Sequence, residues 1–73
     1  MVLGDCPVGT HVTLRSVTAH RERLRMAELG FVPGASIRVV SRSLGGRMVV
    51  AVGAARLALD GPTATAVSVE AAR

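Results

Sequence analysis

The hydrophobic positions of this chain alternate in short runs, and glycine, proline and aspartate separate the runs. In His11–Val17, Val12 and Leu14 fall on one side and His11, Thr13 and Arg15 on the other, the period of two that marks a half-buried strand. Val17 breaks this parity, which predicts a bulge between Arg15 and Val17. Residues 37–42 and 47–52 repeat the strand pattern around Ser43-Leu44-Gly45-Gly46 and read as a hairpin. Met48, Val50 and Val52 alternate with Val49 and Ala51, so both faces of the second strand are apolar enough for a packed barrel wall. Gly53 can bend the chain into a further strand over 54–59, with Leu57 and Leu59 inward. Asp60-Gly61-Pro62-Thr63 predicts a tight connection formed by a single 3₁₀ turn. Residues 66–70 predict a last strand, with Val67 and Val69 inward.

One stretch has a different character. Residues 20–29 hold good helix formers and neither Gly nor Pro, and Thr18 is a candidate N-cap. Such a helix is too short to be stable alone and must be held by packing. Met26 and Leu29 lie three apart and share a face, so both are expected to dock on the barrel with Phe31. Glu22 and Arg25 have the same spacing and can pair, for a few tenths of a kcal/mol. Gly30 suits the left-handed residue that ends a helix. Pro33 presets φ for a turn, and Gly34 supplies the positive φ that a type II turn needs. Two further turn signals, Gly4-Asp5 and Pro7-Val8-Gly9, punctuate the opening segment. The fold class expected is mainly β: one domain over residues 1–73, a small SH3-like barrel of about five strands with one short helix after the first.

Size makes the apolar content necessary. A chain of 73 residues buries only about 60% of its unfolded surface. Hydrophobic residues make up 49% of it, and Phe31 is the single aromatic. No apolar run approaches the roughly 18 residues of a membrane span, and no secretory signal pattern is evident. A lone Cys6 cannot form an internal disulfide, so nothing argues for an oxidising compartment. The expected location is cytoplasmic, without membrane insertion. Net charge is +4, and all nine basic residues are arginines. Codon bias in a GC-rich genome accounts for that as well as function does. Only Arg21, Arg23 and Arg25 cluster.

The run Arg25-Met26-Ala27-Glu28-Leu29-Gly30-Phe31-Val32-Pro33-Gly34 resembles the signature of the FeoA family, small accessory proteins of bacterial ferrous iron uptake. The likeness continues through Ile37, Val39 and Val40, through Leu44-Gly45 and the alternation from Met48 to Val52. It ends with Leu57-Ala58-Leu59 and Val67-Ser68-Val69-Glu70. Three positions depart from the family pattern. Ser43 and Arg47 flank the Leu-Gly where proline is usual, Pro7-Val8-Gly9 replaces a Pro-Gly pair, and Met26 stands for leucine. The resemblance implies a regulatory protein that binds the cytoplasmic part of the FeoB ferrous iron transporter. The same domain is similar to the SH3-like module of DtxR-type metal-dependent repressors, which implies a transcription-linked regulator as the alternative.

Candidate chemistry is sparse. A nucleophile needs an adjacent base and an orienting group, and Cys6 with either histidine offers no such set, so no enzyme is expected. Cys6 reads as a small buried hydrophobe. Cys6, His11, His20, Asp5, Glu22 and Glu28 show no paired metal-ligand spacing, and no metal or cofactor is expected. One phenylalanine cannot line a groove for polyproline ligands or stack single-stranded bases, so no nucleic-acid partner is expected. Protein binding remains. Arg21, Arg23 and Arg25 with exposed Leu24 form one candidate patch, and the Leu44 tip of the Gly-rich hairpin forms another. An ordinary solvated helix face and a mobile loop would look the same in the sequence. Open valine-rich strand edges leave room for weak self-association.

Overall fold

The computed structural model describes residues 1–18 and 23–72. Five strands form one antiparallel sheet: β1 His11–Val17, β2 Ser36–Arg42, β3 Met48–Val52, β4 Ala55–Leu59 and β5 Val67–Ala71. Their order across the sheet is β4-β3-β2-β1-β5. Helix α1 covers Arg23–Glu28 and helix α2 covers Gly61–Thr65, and 3₁₀ turns occupy Leu3–Asp5 and Leu44–Gly46.

Alternation decides which side chains the sheet buries. Val12 and Leu14 from β1, Ile37 and Val39 from β2, and Val67 and Val69 from β5 are each at most 1% exposed. Met48, Val50, Val52 and Leu59 join them, with Phe31 and Met26 from the α1 end. The chain curls around this cluster. The pairing of β1 with β5 shifts between Leu14 and Ser16, one residue earlier than the bulge that the parity break at Val17 predicts between Arg15 and Val17. A second shift, between Val39 and Ser41, lies in the pairing of β2 with β3. There the consecutive valines Val39 and Val40 hide the extra residue from a pattern argument.

The stop of α1 satisfies the helix's last carbonyls. Gly30 donates to the Ala27 carbonyl and Phe31 to the Met26 carbonyl, each at 3.0 Å, the paired bonds of a Schellman motif with glycine at its left-handed position. Gly30 has φ 95° and Gly34 φ 92°. Ala35 then donates to the Val32 carbonyl at 2.9 Å, closing the Pro33-Gly34 turn. Gly34 and Ala35 in turn bond to both backbone groups of Leu14, at 2.8 and 2.9 Å, which ties this turn to β1.

Three expectations need correction. Leu29 is 46% exposed and does not dock, because α1 ends at Glu28 and the chain is already turning. The Asp60 connection is a turn of α-helix, Gly61–Thr65, because the Asp60 carboxylate accepts from the Thr63 amide at 2.9 Å and holds the helix start open. The Gly-rich loop, which the sequence left open between a docking tip and a mobile loop, has a packing neighbour. An added Cβ at Gly61 would meet the Gly45 carbonyl oxygen at 3.3 Å, so the Leu44–Gly46 turn packs against α2 by backbone contact. The last strand runs one residue later than expected, over Val67–Ala71. Helix residues 20–22 and the Glu22–Arg25 pair lie outside the described residues. The helix start that Thr18 would cap lies there too; the Thr18 amide itself donates to the Ala66 carbonyl at 2.8 Å.

The two outer strands are treated differently. The edge of β5 is partly covered, since Val69 donates to the Met1 carbonyl at 2.8 Å and Val2 bridges to Ser68. Among the described residues, β4 pairs with β3 alone.

Candidate functional site

Helix α1 and the turn after it form one wall of an apolar groove. Ser16 and Val17 at the end of β1 form the other, and Arg23, Leu24, Ala27, Phe31, Val32 and Pro33 complete the lining around about 370 Å³. Leu24 is 75% exposed and Val32 is 41% exposed, although their neighbours Met26 and Phe31 are buried. The geometry follows from helix periodicity. Met26 anchors the inner face of α1, so Leu24, two residues earlier, points away from the core. Arg23 borders the groove, and Arg25 is exposed on the same helix. A water-facing leucine beside two arginines can take an apolar side chain while the guanidiniums engage carboxylates.

Of the residues singled out in the sequence, Arg21 lies outside those described. Leu24 and Arg25 are both exposed, with Leu24 in the groove. Leu44 is 98% exposed, yet it sits on the 3₁₀ turn that packs against α2. Of these two exposed leucines, Leu24 lines the α1 groove, whereas Leu44 lines neither this groove nor the one over β2, β3 and β4. Val17, Ala27 and Val32 were missed because each reads as ordinary barrel or turn sequence. Their signal was the Val32-Pro33-Gly34 turn itself, which forces Val32 outward while Phe31 points in.

A second groove, of about 460 Å³, lies on the outer face of β2, β3 and β4, where Ser41, Val49 and Ala58 form its floor and Ser43, Arg47 and Asp60 its end. Asp60 is already engaged there as the cap of α2.

Among the described residues no three His, Cys, Asp or Glu side chains gather in a cluster fit for a metal ion. Cys6 is 1% exposed, and its thiol donates weakly to the Val2 carbonyl at 3.6 Å. Burial first, and Asp5 second, push the Cys6 thiol pKa up, against a smaller pull down from Arg42 and the N-terminus. A thiol held neutral and buried is a poor nucleophile. Arg42 Nη1 donates to the Cys6 carbonyl at 2.6 Å and so fastens the opening segment to β2. No helix among the described residues is long and apolar enough to cross a membrane.

Comparison with known proteins agrees with this geometry. The FeoA domain profile matches residues 1–71. FeoA of Chlorobium tepidum, in solution, superposes with a TM-score of 0.91 at 25% identity, over 100% of this chain and 71% of that one. FeoA of Stenotrophomonas maltophilia, solved with zinc and described as a prokaryotic SH3 domain protein, superposes at 0.79 with 33% identity, over 96% of this chain and 89% of that one. A manganese-dependent transcriptional repressor superposes at 0.84 with 28% identity, over 99% of this chain but 41% of that one. The comparison with curated proteins finds no match.

Proposed function

The chain belongs to the FeoA family, and from that premise we propose that it is a cytoplasmic, non-catalytic regulator that docks on the cytoplasmic part of the FeoB ferrous iron transporter. The family is associated with ferrous iron transport, and its Stenotrophomonas maltophilia member is described as a candidate activating factor for it. The observation that carries the reading is the family match over residues 1–71. A module of this kind acts through its surface. The α1 groove supplies an apolar contact at Leu24 with arginines beside it, which suits a partner surface that is apolar at its centre and acidic at its rim.

The test is a titration of the purified transporter's cytoplasmic domain with this protein, repeated with full-length transporter in detergent. Saturable binding to either supports the reading, and no binding to both rejects it.

A second reading has its own observation. The likeness to the manganese-dependent repressor spans 99% of this chain at 28% identity. It favours a transcription-linked regulator that pairs with such a repressor or contacts DNA. Binding to duplex DNA that weakens steeply with salt would select this reading over the first.

A further inference from the structure

We propose that the free edge of β4 is a docking site for an extended acidic segment of a partner protein, which joins the sheet as an additional strand. The proposal concerns a surface away from α1 and does not rest on the transporter reading.

The first support is backbone geometry. β3 and β4 are joined by the two-residue turn Gly53-Ala54, and Val52 pairs with Ala55. In an antiparallel ladder, residues exchange hydrogen bonds with one neighbour at every second position. Val52–Ala55, Val50–Leu57 and Met48–Leu59 are the bonded pairs of β3 with β4. The N–H and C=O of Arg56 and Ala58 therefore point away from β3. The rest of the sheet agrees. Val39 uses both its backbone groups toward Gly9 and Thr10, on the β1 side. Its neighbour Arg38 thus bonds toward β3, as does Ala51 toward β2. Arg56, opposite Ala51, is left facing outward. Among the described residues no backbone hydrogen bond from another element reaches Arg56 or Ala58.

This edge has one of the usual protections and lacks the rest. Natural edges are blunted by exposed charges, proline, bulges, inward charges or a covering segment, and β4 carries only the charge of exposed Arg56. β5 has the segment Met1–Val2. β4 has a regular register with no shift, and neither proline nor bulge. Its inner face is apolar: Leu57 is packed against the core and Leu59 is buried. An added strand with an apolar residue beside Leu57 would extend that core.

The second support is charge. Arg56 lies in one cross-strand row with Ala51, Arg38 and His11. Arg38, Arg56 and His11 are exposed, and only half-buried Ala51 separates the two arginines. Two strands apart, the arginines stand roughly 10 Å from each other. No ion pair offsets either among the described residues. A second copy of this chain carries the same net charge of +4 and is repelled by it. An acidic strand is attracted instead. A carboxylate opposite Arg56 pairs with it directly, and backbone bonds to Arg56 and Ala58 fix the strand. This is the strand-addition mode of peptide recognition, with affinity from the main chain and specificity from alternate side chains.

The test is a nitrogen-15 NMR titration at low salt with a blocked hexapeptide of alternating glutamate and valine. The same peptide with lysine for glutamate is the comparison. The acidic peptide is expected to slow hydrogen exchange at the Arg56 and Ala58 amides by about tenfold at saturation, and the basic one to leave them unchanged. Ala58→Pro removes an outward N–H that β3 does not use, so it should fold and lose this protection. Arg56→Glu is the second variant. It keeps the backbone intact and should reverse the preference between the two peptides. Four results would overturn the proposal. These are no protection with either peptide, equal protection by both, shifts confined to α1, or protection in the free protein that rises with its own concentration. The last would give the edge to a second copy.

Discussion

The Phe31 amide donates to the Met26 carbonyl at 3.0 Å while both side chains lie in the core, at 2% and 4% exposure. One pair of residues thus closes the helix and anchors it. Gly30 sits between them at φ 95°, with only the Val52 side chain, at 3.7 Å, near the place of a Cβ. Space is available there, so strain comes from the backbone. Gly30→Val is expected to cost about 1 kcal/mol or more. Phe31→Ala, which empties the one aromatic site of the core, is expected to cost about 3–5 kcal/mol. Urea unfolding measures both, and a Gly30→Val midpoint equal to wild type would reject the account of the helix stop.

Asp60 offers a cleaner test, because its role is local. Its carboxylate accepts the Thr63 amide at 2.9 Å, with Pro62 in the first turn of α2. Asp60→Ala should cost about 1 kcal/mol. In a domain of this size that lowers Tm by roughly 4–8 °C. Asp60→Asn retains a cap oxygen and should recover most of the loss.

Cys6 should react slowly. Burial and the Asp5 carboxylate raise its pKa, so at neutral pH even less thiolate is present than in a free cysteine. Ellman's reagent at pH 8 should modify the native protein much more slowly than the urea-unfolded chain. The shift has a stability consequence of definite sign. Unfolding frees a thiol that ionises at lower pH, so the contribution is complete below the unfolded pKa and is lost as pH rises from there through the higher folded pKa. Cys6→Ala should flatten the fall in stability above about pH 8.5. Rapid labelling of the native state would contradict this account.

Much of the fold was legible because its signals are local. Alternation in His11–Val17 and Met48–Val52 fixes which side chains turn inward, and the parity break at Val17 marks the first bulge. Gly30 and Pro33-Gly34 are turn chemistry that only a few residue types can perform. Long-range facts were hidden. Nothing in Gly45, Gly46 or Gly61 alone says that two distant backbones meet there, yet a Cβ at Gly46 would lie 3.3 Å from the Gly61 Cα. The bulge at Val40 leaves no trace because a second valine, Val39, stands beside it. Exposure of Leu24 follows from its helical offset from Met26, whereas the groove beside it needs Val17, which is distant in sequence. The free edge of β4 could not be read at all, since strand order is a property of the sheet.

The docking face of α1 can be separated from the barrel that carries it. Leu24 is 75% exposed, so Leu24→Glu removes little buried surface, and Arg25→Glu changes an exposed side chain. Arg25 lies in the last turn of α1, where a cation favours the helix dipole, so reversing it costs a few tenths of a kcal/mol. Arg21→Glu with Arg25→Glu tests the arginine cluster expected from the sequence by charge alone. Both proteins should melt close to wild type. If this face meets an apolar and acidic surface of the transporter, each should weaken binding to its cytoplasmic domain by about 2 kcal/mol or more, because truncated central contacts dominate interfaces. Leu44→Glu is the control, since Leu44 is 98% exposed on a different turn. Binding that survives changes at α1 but fails with Leu44→Glu would move the docking site to the hairpin and leave α1 as a solvated helix that serves only to close the barrel.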